Sequence, residues 1–526
     1  MRHRSGFLLV FIICLLQAGT GTAQGFRKAA GGQGRELLSA LSVFPNGDYL
    51  LAGSTTSVNP SEKDMYLVRM DSNGHKQWTR TFTRLGASET IMDAVTLSDG
   101  GVLFTGSWTE GWDPPLVQYD ASCIVRLDPD GDIMWARYVT GRMTSCRQTS
   151  DGGFVVAGYA EASPQSLYDL ALVRLDAAGN LVWSKTYTGG TGFLEFLYSV
   201  CETPDTGFLL AGRVTDYNNG ILKALLVKTD HNGNVVWSRS YGDASASTWF
   251  WNAKVAGNGY VINGYSFDTG NLHTVGLLLR IDNGGNPIWQ RSIHSAGPLF
   301  APGISATSDG YILAGNAILH PSGPYQPVML AVDTTGSLQW ARTYPAADSM
   351  SIGLVAPALG GMLSAGSVTA PGKDRDLFLL RTDTAGISGC GDTSVTVSIN
   401  PVVVPDSAIL LINGAAPAIS PITFTVDSTG TVNDICAGGT AGIDHQQTVE
   451  WAIYPNPAGR HLFVHSLSDA AARSIEVYTV KGQRLELPQE NQGNRIMIDL
   501  ESLTRGWYML KIAGDKGVYK TGFIKN

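Results

Sequence analysis

Charge is scarce in this chain. Only 16% of its 526 residues are Asp, Glu, Lys or Arg, against about 25% in an ordinary soluble domain. The net charge is -8 and no stretch gathers Lys and Arg, which excludes nucleic acid as a partner, because phosphate binding needs clustered cations. Cysteine is sparse as well: there are six, with no pair at zinc-site spacing. The nine histidines form no HExxH pair, and His461 and His465 lie four apart on one expected strand. No GxSxG sequence accompanies the serines. The sequence therefore offers no catalytic motif, no metal site and no cofactor site, and a protein that is not an enzyme is expected.

Long apolar runs are also missing. The longest, Phe7 to Leu16, has about half of the ~20 residues that a spanning helix needs. It comes after Arg2 and Arg4 and precedes a small-residue site ending at Ala23, the layout of an export signal over residues 1–23. Ile13 before Cys14 does not fit a lipid-attachment site. No transmembrane segment is expected in the rest of the chain.

Glycine, by contrast, is abundant, with 62 residues, and it marks a repeat of about fifty residues that occurs seven times. One half of the unit reads GDYLLAG at Gly47, GGVLFTG at Gly100, GGFVVAG at Gly152, TGFLLAG at Thr206, NGYVINGY at Asn258, DGYILAG at Asp309 and GGMLSAG at Gly360. The other half is an apolar strand entering an Asp-x-x-Gly turn, with Trp seven residues after the Asp: Trp78, Trp135, Trp183, Trp237, Trp289 and Trp340. In the third unit the pattern predicts four strands near 144–149, 154–159, 170–175 and 181–187, separated by tight glycine turns. Seven such units describe an all-β, seven-bladed β-propeller over residues 24–388. The Trp series is expected to pack against the next blade, each burying ~150–250 Å².

This pattern resembles the docking motif of quinoprotein-like propellers, in which a turn Gly and a later Trp tie neighbouring blades, with a spacing here one residue shorter. The resemblance implies the fold and not the cofactor. The seventh unit has Cys390 where Trp would stand, and its outer strand is missing. Residues 25–31 align with the missing strand, Phe26 falling where Trp183 stands, and should close the ring and remove two sheet edges.

The long connections between units collect on one face of the disc, opposite the tight turns. Trp108, Trp112, Trp249 and Trp251 are expected there with Tyr119, Tyr168, Tyr217 and Tyr325, and such aromatics could hold a sugar ring or a peptide. The alternatives carried alongside binding are a polysaccharide-active enzyme and a purely structural surface protein. Asp128-Pro-Asp130-Gly-Asp132 has part of a calcium-loop rhythm but lacks the later Glu, so a hairpin turn explains it better.

After Cys390 the repeat stops. Residues 389–448, rich in Pro, Thr and Val, are expected to form a small β module and linker. A Cys390–Cys436 disulfide across it would be worth about 4 kcal/mol by chain entropy. Residues 449–526 predict a β-sandwich, immunoglobulin-like from its short alternating strands. Tyr454-Pro455-Asn456-Pro457, Val477-Tyr478 leading to Lys481-Gly482, Ile498-Asp499-Leu500, Gly506-Trp507-Tyr508 and a closing strand to Lys525 resemble the type A sorting domain of the type IX secretion system of Bacteroidota. The resemblance implies export to the periplasm, recognition by the outer-membrane machinery through this domain, and a secreted or surface-attached protein. A monomer is expected, with an extracellular glycan or protein as the partner of the loop face.

Overall fold

The computed structural model describes residues 25–525 except 59, 84–86, 111–120, 161–167, 190–192, 217–219, 243–245, 269–272, 321–322, 345–349, 370–374, 410, 415–416, 418, 422–424, 428–430, 435–450, 455–457, 467–471, 480–482, 492–494 and 515–516. The export signal, Trp112, Tyr119, Tyr217, Cys436, Pro455, Asn456, Pro457 and Gly482 lie outside the described residues. Among the described residues every regular element is a strand, and no helix is long and apolar enough to cross a membrane.

Seven five-stranded antiparallel sheets make up the first part of the chain. The third is representative: Arg142–Gln148 is innermost, followed outward by Phe154–Ala160, Asp169–Leu175 and Leu181–Thr188. Its second and third strands are buried throughout except for Tyr159, as expected for strands packed on both faces by neighbouring sheets. The innermost strands of the seven sheets touch in sequence, and the seventh touches the first, so the sheets form a closed ring. The closing sheet combines Met350–Ala358, Gly361–Val368 and Asp376–Asp383 with Phe26–Gly31 from the other end of the chain. There Phe26 pairs with Arg381, as Trp183 pairs with Arg174 in the third sheet.

Neighbouring sheets are tied by one repeated device. The Asp of each Asp-x-x-Gly turn accepts backbone N–H groups within the turn; Asp128 Oδ1 takes those of Asp130 at 3.0 Å and Asp132 at 2.9 Å. The turn glycines hold φ between 74° and 83°, a region open to Gly at no steric cost. A side chain would also be crowded there, by the preceding sheet's Trp at six of the seven turns and by Lys28 and Phe26 at Gly74. A Cβ on Gly179 would stand 2.6 Å from Trp135, and one on Gly386 2.7 Å from Trp340. Trp78, Trp237 and Trp289 donate Nε1–H to carbonyls of the next turn, at 3.2, 3.1 and 3.0 Å. Two residues beyond each Trp, the cations of Arg80, Arg137, Lys185 and Arg291 lie over their own Trp ring at 5.2–5.8 Å. Further along, Tyr187, Tyr241 and Tyr344 donate to Gly233, Gly285 and Gly386.

The segment after Cys390 is not a separate module. Thr393–Ser394, Ser398–Pro401, Asp406–Ala408, Ile412–Gly414, Ile419–Pro421, Thr425–Asp427 and Thr431–Asp434 each add a fifth, outermost strand to one sheet. They visit the sixth, fifth, fourth, third, second, first and seventh sheets in that order, so this stretch forms a belt around the ring, against the direction of the repeats. Val397, Val404 and Leu411, seven residues apart, are buried between consecutive sheets. The physical reason is edge exposure: an uncovered fourth strand offers unpaired backbone groups, and the belt satisfies part of that row on every sheet. At its end Thr431–Asp434 pairs with Phe26–Gly31, which becomes an interior strand. Cys390, at the start of the belt, is disulfide-bonded.

The C-terminal unit comprises two four-stranded sheets, one built on His461–Ser466 and Arg495–Asp499, the other on Ala472–Thr479, Gly506–Gly514 and Gly517–Lys525. Leu462, Val464, Val477, Ile498, Leu510 and Phe523 fill the core that they share. Tyr508 stacks on Phe523 and donates its hydroxyl to the Thr504 carbonyl at 2.9 Å.

Candidate functional site

Every innermost strand carries a register break at the same place, which leaves Ser39, Met92, Thr144, Tyr198, Trp251, Pro302 (with Ala301) and Gly353 as the extra residues of the seven sheets. A bulge of this kind re-aims a side chain without ending the strand. In the fourth and fifth sheets it presents Tyr198 and Trp251, whose ring centroids lie 4.8 Å apart. Trp249 and Trp251 therefore belong to the innermost strand Ala246–Val255, not to a long connection. Phe250 between them turns the other way and is fully buried against Tyr241.

From this pair an aromatic arc extends along the strand ends that lead to the long connections. Trp251 and Trp249 both pack on Tyr265, at 5.9 and 3.7 Å between centroids. Tyr265 meets Phe300 edge-on at 5.2 Å, and Phe300 reaches Tyr325 at 6.0 Å. On the third and fourth sheets Tyr168, Tyr159 and Phe196 form a second cluster, a triangle with centroids 4.9–5.7 Å apart. Arg213 lies over Phe196 at 4.5 Å. Burial raises the Tyr265 and Tyr198 hydroxyls above their ordinary range, so both stay neutral donors. Tyr325 is 47% exposed, while Trp249, Trp251, Tyr198 and Tyr168 are half-buried.

Trp108 does not join this surface. It is 2% exposed within the strand Val102–Glu110 and packs on Tyr138 at 5.8 Å, filling the core between the first two sheets. Sequence reasoning missed Tyr159, Phe196, Tyr198, Arg213, Tyr265 and Phe300, because each reads as an ordinary strand residue. Only the bulge position, filled by Tyr198 and Trp251 where other units have Ser, Met, Thr, Pro or Gly, carries a signal.

Carboxylates on the same side of the ring are shut away in the sheet junctions. Glu36, Glu89 and Glu195 donate their N–H groups to the carbonyls of Arg375, Lys63 and Tyr168 on the preceding sheet. Asp376, Asp64 and Asp169 follow those residues in the chain, and all six carboxylates are at most 3% exposed. Burial, with Asp376 adding to it, pushes Glu36 up to about 7 against the opposing bonds from Ser57 and Thr55. Burial and then Asp169 push Glu195 up to about 8, against the Gly189 N–H. Among the described residues no group of three or more His, Cys, Asp or Glu could hold a metal ion. On the opposite, tight-turn face a cavity of about 460 Å³ between the third and fourth sheets is lined by Asp151, Arg174, Trp183, Glu202 and His231. Its Asp151–Arg174 ion pair and Trp183 are parts of the repeated turn device, not additions to it.

No curated protein matches this chain. Among solved structures, an uncomplexed acylaminoacyl peptidase of Pyrococcus horikoshii is similar, with 10% identity, a TM-score of 0.33, and coverage of 64% of this chain and 58% of the peptidase. The orthorhombic crystal form of that peptidase gives 10%, 0.32, 64% and 57%. A eukaryotic initiation factor structure gives 12% identity and a TM-score of 0.27, over 61% of this chain and 96% of its own. The chain thus spans less than two thirds of the peptidase's length, and likenesses this distant carry no argument about activity. Residues 452–526 match the secretion system C-terminal sorting domain. The chain therefore carries a sorting domain of the type IX secretion system, which takes it to the cell surface or the extracellular space.

Proposed function

We propose that the ring is a non-enzymatic binding scaffold, exported through its sorting domain, and that its aromatic arc holds an extracellular carbohydrate. The observation that carries this reading is a pair of aromatic clusters, the Tyr168–Tyr159–Phe196 triangle and the run from Tyr198 through Trp251, Trp249, Tyr265 and Phe300 to Tyr325, whose rigid faces together cover four sheets. Such faces offer large apolar area with little rotamer entropy to lose, and Tyr hydroxyls and Arg213 supply polar contacts beside them. A hydrolase or lyase would need carboxylates open to a substrate, and among the described residues the Glu195–Asp169 pair beside Tyr168 is buried. The position at the cell surface favours an extracellular polymer over a metabolite.

The test is a glycan array with calcium, probed with the full exported chain. The ring without its belt would expose seven sheet edges and is unsuited to the assay. Binding that is lost in Tyr325→Ala and Trp251→Ala, and kept in Val236→Ala on the outer wall, supports the reading. A negative array with capture of a surface protein through the same residues would move the function to a protein partner. Turnover of a bound polysaccharide would make the protein an enzyme.

A further inference from the structure

Deeper in the channel, toward the tight turns, charge gathers on one part of the wall. Arg147, Cys201 and Lys254 hold the same register position on the innermost strands of three consecutive sheets, opposite Val155, Leu209 and Val261. In the other four sheets that position is Ser42, Val95, Ser305 or Ala356, all uncharged. Arg147 donates Nη1–H to Asp93 Oδ2 at 2.6 Å, and the Ser145 hydroxyl and Cys146 N–H bind the same oxygen at 3.1 and 3.0 Å. Asp93 thereby fixes the guanidinium and offsets its charge. Lys254 has no such partner among the described residues; the charges that act on it are those of Arg147, the Cys201 thiol and Asp93. Burial, reinforced by the Arg147 charge, brings its ammonium down to about 8. Burial also pushes the Cys201 thiol up, against the pull of Lys254, Arg147 and Lys228; Lys228 is itself paired with Asp205 at 2.9 Å. Cys201, packed against the core of the fourth and fifth sheets, and Lys254 are half-buried, whereas Cys123 and Cys146 are sealed in the core.

We propose that Arg147, Cys201 and Lys254 form a second binding site, inside the central channel and separate from the aromatic arc, that takes a small carboxylate. The charge balance selects the class. Two cations face one carboxylate, so a single positive charge is left over, and a monoanion neutralises it where a dianion would overshoot. The planar guanidinium suits the two oxygens of a carboxylate, and the desolvated ammonium gains an ion pair that it lacks. The sequence could not show the site, since its members are more than fifty residues apart and only the packing of three successive sheets brings them together.

Cys201 serves as the reporter. The full chain is alkylated with iodoacetate, which carries a carboxylate, and with iodoacetamide, its neutral counterpart, and labelling at Cys201 is followed by peptide mass spectrometry. The iodoacetate-to-iodoacetamide rate ratio should exceed that of N-acetylcysteine by about tenfold, the scale of one extra charge interaction in a partly screened channel. The ratio should fall to the free-thiol value in Lys254→Met, stay intermediate in Arg147→Lys, and fall in millimolar acetate. A ratio equal to that of N-acetylcysteine in the unmodified protein would overturn the proposal, as would a raised ratio that persists in Lys254→Met. Failure to label Cys201 with either reagent would also overturn it, because the channel would then be closed to ligands of this size. None of these outcomes depends on whether the arc binds a glycan.

Discussion

The outer and inner walls of the ring are built from the same seven repeats, yet they differ in what they keep constant. On the outer wall nearly every sheet has a Trp, then Arg or Lys, at fixed places, and each Trp meets the turn glycine of the following sheet. On the inner wall the bulge position runs through Ser39, Met92, Thr144, Tyr198, Trp251, Pro302 and Gly353. The reason is geometric. The outer residues must satisfy a junction of one shape, whereas the inner residues meet their neighbours in a different way on each sheet: Thr144 donates to the Leu197 carbonyl at 2.7 Å, Tyr198 meets the Trp251 ring, and Pro302 accepts from Asn252 at 2.8 Å. Constancy marks where the ring is held together, and variation marks where it is free to bind.

Substitutions can break this contrast. The largest loss should come from Ala30→Pro in the closing strand, since Ala30 pairs with Leu377 on one side and Val432 on the other. A Pro there removes a ladder bond inside a sheet and should cost about 3 kcal/mol or more, read as a lowered denaturant midpoint. Next comes Gly179→Ala. Its Cβ would enter the Trp135 ring at φ +77°, and a loss of about 2–3 kcal/mol is expected. Gly152→Ala, at φ +84° with nothing within 4 Å, should cost only about 1 kcal/mol. Equal losses in the two would mean that the Trp contact contributes nothing beyond backbone strain.

The junction carboxylates give a smaller effect with a definite sign. Glu36 and Glu195 are raised from an ordinary 4.5 to about 7 and about 8, so the folded chain keeps protons that the unfolded chain has released. Their contribution is full below about pH 4.5 and is lost as pH rises through 7 and 8. Calorimetry from pH 5 to 8 should show the melting temperature falling. The double variant Glu36→Gln and Glu195→Gln should flatten that slope, and an unchanged slope would sink the assignment. Thr206 stands at φ +62° where most of the other units have Gly, so Thr206→Gly should stabilise by about 0.5–1 kcal/mol. Smallest of all is Tyr325→Ala, within about 0.5 kcal/mol on stability because the ring is nearly half exposed. Its effect belongs to ligand binding alone.

The strands of the third unit were legible in the sequence almost to the residue, because Gly-Gly and Asp-x-x-Gly turns bound each one on both sides. The belt was not. Its strands are two to four residues long, too short for alternation to show, and Pro breaks the run between them. Only the spacing of Val397, Val404 and Leu411 hints at seven evenly placed junctions. Trp108 misled for a related reason: it sits where a strand runs on further than its turn signals suggest, so a core residue reads as a loop residue.

By itself the sequence determined the repeat, the all-β class, the turn chemistry and the sorting domain, because each rests on neighbours within about fifty residues of chain. The path of residues 393–434 around the ring, the aromatic arc and the Arg147–Cys201–Lys254 cluster were decided only by tertiary structure. They join groups that become neighbours only when sheets pack side by side around the ring, and no local pattern records a distance that exists only after that packing.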